Sequence, residues 1–581
     1  MATQDRRLTG GELVVSALTA AGVGEVFALH GGHHEALFKA CTEAGIRLID
    51  VRHEATAGHA ADAYARTTGR LGVCIVTAGP GFTNAISAIS NAYLDGSPVL
   101  FLIGAPPVRE IETNPMQGGI DQIAMIRPSA KWAISITSTE RIADLTAMAI
   151  RKAMSGRKGP VVVELPIDVL HMSIPASSAT RPAGVSVQPR PAPSPRETRR
   201  LADMVSQARR PVIIAGLEAA EADVGQALRE LCDKTAIPVF TKPQAMGLLG
   251  IDHPCDGGAP GNLAAAAGLG VEPPDLVILM GARLGLLLGG RSGAIVPHAA
   301  SLVQVSLDAG EIGRIRDVDL AIQAHCAEAI GALTEALSAQ GASCDVCEWR
   351  DRAVSARNLF AGAFPEARST GGIHPFHAAR AACEAAGPEA VYALDGGESG
   401  SWASAAVRVS APGRVLTHGY LGCLGIGPGF SIGAQIAHPD RRVVQITGDG
   451  TMGFHVGDLD TLVRHGLPVV TVVLNNQVWG MSIHGQQLMY GANYNVITKL
   501  GQARYADIAR AFGCYSERIE DPAEVGPAVR RALDSQRPAL IEVMTDPQVV
   551  HPVTTSMLGA IAEGSGEVMI PYYENIPGGA G

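Results

Sequence analysis

RVVQITGDG, from Arg442 to Gly450, followed by PVVTVVLNN, from Pro468 to Asn476, is the stretch that decides the fold. Each segment is a short run of aliphatic and β-branched residues, the pattern of a strand covered on both faces in a parallel sheet. Each ends in small or polar residues, and the carboxyl ends of such strands are where open α/β sheets present their ligands. Asp449 and Asn476, 27 residues apart, put a carboxylate and an amide oxygen at neighbouring strand ends. That oxygen pair suits a hard octahedral cation such as Mg²⁺, which keeps other positions open for phosphate oxygens. Gly448 and Gly450 let the backbone approach a diphosphate closely, and a helix predicted from Phe454 to Arg464 offers N–H groups to it. A lone Gly-Asp-Gly is commonly only a turn; the Asn-Asn after a second buried strand makes this pattern specific.

Working outward, the same alternation of short aliphatic runs and helical patterns fills the 581 residues. VCIVTA at Val73, VLFLIG at Val99 and VVVELP at Val161 mark a first block. PVIIAG at Pro211, DLVILMG at Asp275 and LVQVSL at Leu302 mark a second. AVYALDGG at Ala390 and ALIEVMTD at Ala539 complete the third. Loop-like stretches from Ser173 to Glu197 and from Gly341 to Pro375 separate the blocks. The expected fold class is therefore α/β, with three doubly wound parallel-sheet domains at 1–180, 195–345 and 370–550. A tail over 551–581 is long and apolar enough to fold over an entrance as a lid or to pack on a subunit surface.

Aromatics make up only 4 % of the chain while hydrophobic residues reach 47 %, which fits closely packed α/β layers rather than an aromatic-rich sandwich. A net charge of -10 without basic clusters argues against nucleic acid and for a small-molecule substrate. No apolar run approaches the roughly 18 residues that cross a bilayer, and the polar start MATQDRRLTGG resembles no targeting segment. A soluble, cytoplasmic protein without membrane partners is expected. Ten scattered cysteines fit a reducing compartment. Cys344 and Cys347 form one C-x-x-C, but without a second pair nearby a zinc site is not expected, and a linker or helix start is.

Thr9 and Glu12 form a capping-box pattern, Leu13, Ala17 and Leu18 an apolar stripe, and Gly22 a stop before the strand GEVFAL. That strand delivers His30-Gly31-Gly32-His33 to a carboxyl end, where two histidines stand in place for chemistry.

Gly-Asp-Gly followed at this distance by Asn-Asn resembles the diphosphate motif of thiamine-diphosphate enzymes. RHEATAGHAADAYAR, from Arg52 to Arg66, and TAGPGFTNAISAISNAYLDGSPVL, from Thr77 to Leu100, are similar to that family's pyrimidine-binding domain. The resemblance runs in the order pyrimidine-binding, central and diphosphate-binding domain. It implies that Glu54 bonds the aminopyrimidine ring and promotes the tautomer that deprotonates C2 of the thiazolium. Asp449, Asn476 and the backbone oxygen of Val478 would be the Mg²⁺ ligands. Gly448, Gly450, Thr451, Gly397 and Glu398 would surround the cofactor, and Leu424 would sit under the thiazolium.

Within the family, TGGELVV, RHEA-x-AGHAA, ETN-x-x-Q-x-GIDQ, HGYLG and NNQ-x-WG are similar to benzaldehyde lyase. That likeness implies His33 and Gln117 as polar active-site residues, with His30 beside them; a near-neutral imidazole suits proton transfer and a neutral amide suits oxyanion orientation. Met481 in place of a small residue and the long tail depart from it, and the tail resembles those of the acyl-CoA branch, oxalyl-CoA decarboxylase and 2-hydroxyacyl-CoA lyase. The expected reaction is cleavage of a 2-hydroxyacyl-CoA to formyl-CoA and an aldehyde or ketone. The alternatives are a benzaldehyde-lyase-type or acetolactate-synthase-like carboligase and, in another class, a non-catalytic cofactor-binding module. Where the acyl-CoA branch is associated with an acid, this chain has Gln487, its neutral isostere. MGARLG and SLDAGEIG in the central block are a candidate site for ADP, for the ADP part of CoA, for FAD or for nothing. The resemblance further implies a homodimer or dimer of dimers, with each site shared between two chains.

Overall fold

The computed structural model describes residues 6–113, 116–182, 185, 188–290, 292–341, 346–364 and 366–557. Three six-stranded parallel sheets carry the chain, one per block. Numbering strands within each sheet in chain order, the first sheet (Glu25–Ala28, Arg47–Asp50, Gly72–Val76, Val99–Ala105, Trp132–Ser135, Val161–Pro166) runs 2-1-3-4-6-5. The third sheet (Val391–Leu394, Val415–Thr417, Val443–Gly448, Val470–Asn475, Tyr515–Ile519, Ala539–Met544) repeats that order. The middle sheet differs, running 3-2-1-4-5-6 from Pro211–Ala215 to Leu320–Gln323, the dinucleotide-fold order. In the first and third sheets the strand order reverses between strands 1 and 3. His30-Gly31 and Thr77 therefore face one such crevice, and Gly396-Gly397 and Gly448-Asp449 the other.

The two outer domains share one hydrophobic core, in which Phe27, Phe82 and Phe101 meet Val391, Phe430 and Val473. Its centre is the contact of helix Glu54–Thr68 with helix Gly427–Ala437. Gly429 and Gly433, one turn apart, permit the approach: a Cβ on Gly433 would lie 2.0 Å from the Ala60 carbonyl oxygen, and one on Gly429 would lie 2.7 Å from the His59 Cβ. Any side chain there would push the domains apart.

Beside this contact Arg66 is buried and grips Asp62 with two hydrogen bonds of 2.7 Å, while its other amine donates to Asp95 at 3.0 Å. The guanidinium also lies over Phe430, and donates to the carbonyl of Thr417 in the third domain. Asn91 donates to Asp62, and the Tyr420 N–H to Asp95, so every carboxylate of the cluster is bonded.

Two expectations change. The segment 341–375 is more than a loop: helix Cys347–Ala353 docks on the middle domain through Trp349, whose indole donates to the Pro211 carbonyl at 2.9 Å. Phe360 and Phe364 then enter an aromatic cluster around Trp402. Burial of these large rings outweighs the polar, breaker-rich look of the segment. The Phe454–Arg464 helix is also divided: a single turn begins at Asp449, and the regular helix starts only at Leu459. Cys347 opens its helix as expected, whereas Cys344 and tail residues 558–581 lie outside the described residues. Among the described residues no helix is long and apolar enough to cross a membrane.

Replacing Arg66 by Met leaves Asp62 and Asp95 buried without a counter-charge, and should cost about 3–5 kcal/mol. Urea unfolding monitored by circular dichroism measures this directly; an unchanged midpoint would show that the cluster is not a stabilising link between the domains.

Candidate active site

At the crevice of the third sheet the loops after strands 1 and 3 touch. A Cβ on Gly396, whose φ is +104°, would lie 2.2 Å from the Ser399 hydroxyl, and one on Gly448 would lie 2.9 Å from it. A Cβ on Gly450 would lie 2.6 Å from the Trp479 ring. The glycines thus keep a narrow cradle open, bounded by Ser399, Trp479 and the Thr451 hydroxyl, which bonds Thr447 and caps Gly448. Gly397 leads into helix Glu398–Ala406 and lies against Met481.

Asp449 is buried, and in the turn beside it the Gln477 N–H donates to Asn475 Oδ1 at 3.2 Å. Burial pushes its carboxyl up to about 6. Gln477 holds φ at +61°, and this left-handed turn sets Asn476 and Val478 beside Asp449. Asn476 Oδ1 accepts the Val478 N–H at 3.2 Å. Among the described residues no cluster of three His, Cys, Asp or Glu side chains stands ready for a metal. A cation here would instead take one carboxylate, one amide oxygen and one backbone oxygen and complete its shell with phosphate, a donor set that fits Mg²⁺.

Asp395, at the end of strand 1, was not singled out by its sequence context. Fully buried, it accepts the N–H groups of Gly425 and Gly427 at 3.2 and 2.9 Å and so positions the loop carrying Leu424, which is half-buried. An acid directly before Gly-Gly at a strand end is the signal that could have revealed it. Glu398 is turned elsewhere. Its carboxylate meets His484 Nδ1 at 2.7 Å and accepts the His551 N–H and the Thr554 hydroxyl. His484 Nε2 reaches the Pro547 carbonyl at 2.8 Å, so Glu398 ties helix Gly480–Tyr490 to residues 547–557. Gln487 is half-buried on that same helix.

The crevice of the first sheet holds His33. Its Nδ1 bonds the Thr77 hydroxyl at 2.9 Å, and it rests over Gly104, where a Cβ would come within 2.8 Å of the His33 Cβ. Burial lowers the His33 pKa, which favours the neutral ring. Gln117 sits at φ +54° beside Gly79, whose N–H is held by the buried Gln122. Gln122 also donates to Gly104 and Glu164, so one amide fixes both walls. His30 instead pairs with Glu35 at the surface and stacks on Phe38. Glu54 is buried at the start of its helix and accepts the Asn84 amide at 3.0 Å. Among the described residues no hydrogen bond joins Glu54, His33 or Gln117 to the Gly448–Val478 set of the same chain.

In the middle domain the residues proposed for a nucleotide are otherwise engaged. Arg283 stacks on Tyr420 and donates to the Leu94 carbonyl. Asp308 caps Gly310, and among the described residues the open depression of about 620 Å³ beside it is lined by Glu197 and Asp317 and by no basic side chain. An ADP diphosphate finds no complement there.

Three parallel sheets with a glycine cradle, an Asp/Asn turn and a helix-start glutamate define a diphosphate-cofactor enzyme. The chain belongs to the thiamine pyrophosphate enzyme family. Residues 8–125 match its N-terminal TPP binding domain, 198–333 its central domain and 395–543 its C-terminal TPP binding domain. A probable acetolactate synthase of Mycobacterium bovis is 33 % identical, over 93 % of this chain and 96 % of its own. The 2-hydroxyacyl-CoA lyase 2 of Homo sapiens is 31 % identical over 83 % and 81 %, and that of Caenorhabditis elegans 30 % over 88 % and 84 %.

Because a proton competes for Asp449, affinity for a divalent cation should fall roughly tenfold per pH unit below about pH 6 and level off above it. Asp449→Asn should weaken binding at pH 7 and flatten the profile. Cation titrations across pH 5 to 8 test this, and an unchanged profile in the variant would remove Asp449 from the metal site.

Proposed function

We propose that the chain is a thiamine-diphosphate- and Mg²⁺-dependent carbon–carbon lyase that cleaves a 2-hydroxyacyl-CoA to formyl-CoA and an aldehyde or ketone, and joins them in reverse. The observation that carries this reading is His33, held by Thr77 in an environment that favours its neutral form. Cleaving the bond beside a hydroxyl-bearing carbon requires a base for that hydroxyl proton, which loss of carbon dioxide from a 2-oxo acid does not. Two relatives named 2-hydroxyacyl-CoA lyase 2 support the same choice.

When bound, the cofactor supplies an electron sink at the carbonyl carbon. The chain's own residues do the rest. Asp449, Asn476 and the Val478 carbonyl hold the cation. Gly448, Gly450 and Thr451 admit the diphosphate, Gly397 borders it, and Leu424 supports the ring. Glu54 holds a proton against the aminopyrimidine. His33 accepts the substrate hydroxyl proton through Nε2 while Thr77 fixes Nδ1, and Gln117 orients the carbonyl oxygen. His30 lies at the rim.

The working unit is a homodimer or a dimer of dimers. Ile111, Met116, Ile120 and Met125 are exposed around the Gln117 loop, as are Leu488, Tyr490, Tyr494 and Ile497 around helix Gly480–Tyr490. Two apolar surfaces beside candidate site residues suit pairing with a second copy, which would bring Glu54 of one chain to Asp449 of the other. The acetolactate synthase relative favours a second reading, carboligation of free 2-oxo acids.

Calorimetric titration of CoA and formyl-CoA into the cofactor-loaded protein, followed by assay of a short branched 2-hydroxyacyl-CoA, separates the two. The lyase reading predicts binding and release of the aldehyde or ketone, with faster turnover in Gln487→Glu. Absence of CoA binding together with acetolactate formation from pyruvate would overturn it.

A further inference from the structure

Strand Ala539–Met544 lies inside the third sheet, paired on one side with Val470–Asn475 and on the other with Tyr515–Ile519. Its other side chains are apolar, yet Glu542 is a fully buried carboxylate. An apolar residue there would avoid the cost of taking a charge out of water. Glu542 Oε1 accepts the Asn475 amide at 2.8 Å and Oε2 accepts the Ala506 N–H at 3.0 Å, while Arg518 Nη1 lies 3.5 Å from Oε1.

Both short contacts lead to candidate cation ligands. Ala506 belongs to the first turn of helix Tyr505–Phe512, and Tyr505, which opens that helix, is buried and donates its hydroxyl to the Asp449 carbonyl at 2.6 Å. Asn475 turns its amide nitrogen to Glu542 and to the Ala503 carbonyl, and so presents Oδ1 to the Gln477 N–H. That bond closes the turn in which Gln477 holds φ at +61°, a conformation that a residue with a side chain keeps only where its surroundings impose it. Residues 498–500 tie down the rest. The Leu500 N–H donates to the Gln477 carbonyl and the Trp479 N–H to the Thr498 carbonyl, each at 2.8 Å, and Val478 pairs with Lys499. Asn476 and Val478 flank Gln477, so their places depend on this turn.

We propose that Glu542 is the positioning residue of the cation site: through Asn475 and the Tyr505 helix it fixes the two strand-end loops that carry Asp449, Asn476 and Val478, a role that rests on the reading of these three as the cation ligands. A carboxylate suits the task because both of its oxygens accept. In Glu542→Gln one oxygen becomes an NH₂ that faces a donor, either the Ala506 N–H or the Asn475 amide. Turning the Asn475 side chain over relieves the second clash only by setting its own NH₂ against the Gln477 N–H, which opens the turn. Residues that orient metal ligands from behind typically contribute about 10–100-fold to metal affinity.

The test titrates Mn²⁺ into the full chain at neutral pH with thiamine diphosphate held at a fixed saturating concentration, and reads the bound ion by water-proton relaxation. Glu542→Gln should weaken Mn²⁺ binding by about tenfold or more. Asn475→Ala, which removes the same clamp without touching the buried carboxylate, should do likewise. Adding Gln477→Gly to either variant should recover most of the lost affinity, because glycine holds the left-handed turn without help; a general loss of packing would not be recovered in this way. Undiminished affinity in Asp449→Asn would overturn the cation-site reading itself. Weakened affinity in Asp449→Asn with undiminished affinity in Glu542→Gln and Asn475→Ala would overturn the positioning role alone. A loss that Gln477→Gly does not recover would overturn the route through the turn.

Discussion

The crossing of helix Glu54–Thr68 on helix Gly427–Ala437 is the contact on which the rest of the molecule depends. It works because Gly429 and Gly433 have no side chains to hold the helices apart. The same helix starts with Glu54 and ends near Arg66, so one rigid element sets the candidate proton-transfer group and the charge cluster together. That cluster reaches Thr417 and Tyr420, and Asp395 takes over at Gly425 and Gly427. The loop bearing Leu424 is thus clamped from both sides. Lys242 and Arg283 dock the middle domain on Tyr420, each about 4.2 Å from the ring centroid, which carries the same contact into the third layer.

Desolvation shapes the chemistry at both crevices. At Asp449 burial raises the cost of an unpaired negative charge, a cost that a bound cation would offset. At His33 burial acts on the opposite charge and favours the neutral imidazole, the form able to accept a proton. Opposite groups are tuned by one physical cause, and neither depends on a fixed charge nearby.

Much of this was readable from residue order. Runs such as VVQIT and VVTVVLN announce buried parallel strands because both faces must be apolar, and their polar ends mark the crevice. The capping box at Thr9 and Glu12 formed as its spacing dictates. What escaped depends on contacts between distant segments. Trp349, Phe360 and Phe364 are ordinary loop residues until Pro211 and Trp402 receive them. Glu398 looks like a cofactor neighbour by position, yet its partners His484, His551 and Thr554 lie 86 to 156 residues away. The split of the 454–464 segment follows from the turn that begins at Asp449 itself, which a periodicity argument reads as part of the preceding strand end.

The claim on which the functional account stands is that Glu54 activates the cofactor held by the Asp449 turn. Hydrogen–deuterium exchange at C2 of bound thiamine diphosphate, followed by quenched-flow and proton NMR, measures it without any substrate. The account predicts exchange slowed by at least about 100-fold in Glu54→Gln at saturating cofactor. Exchange as fast as in the unsubstituted protein, with cofactor still bound, would contradict it.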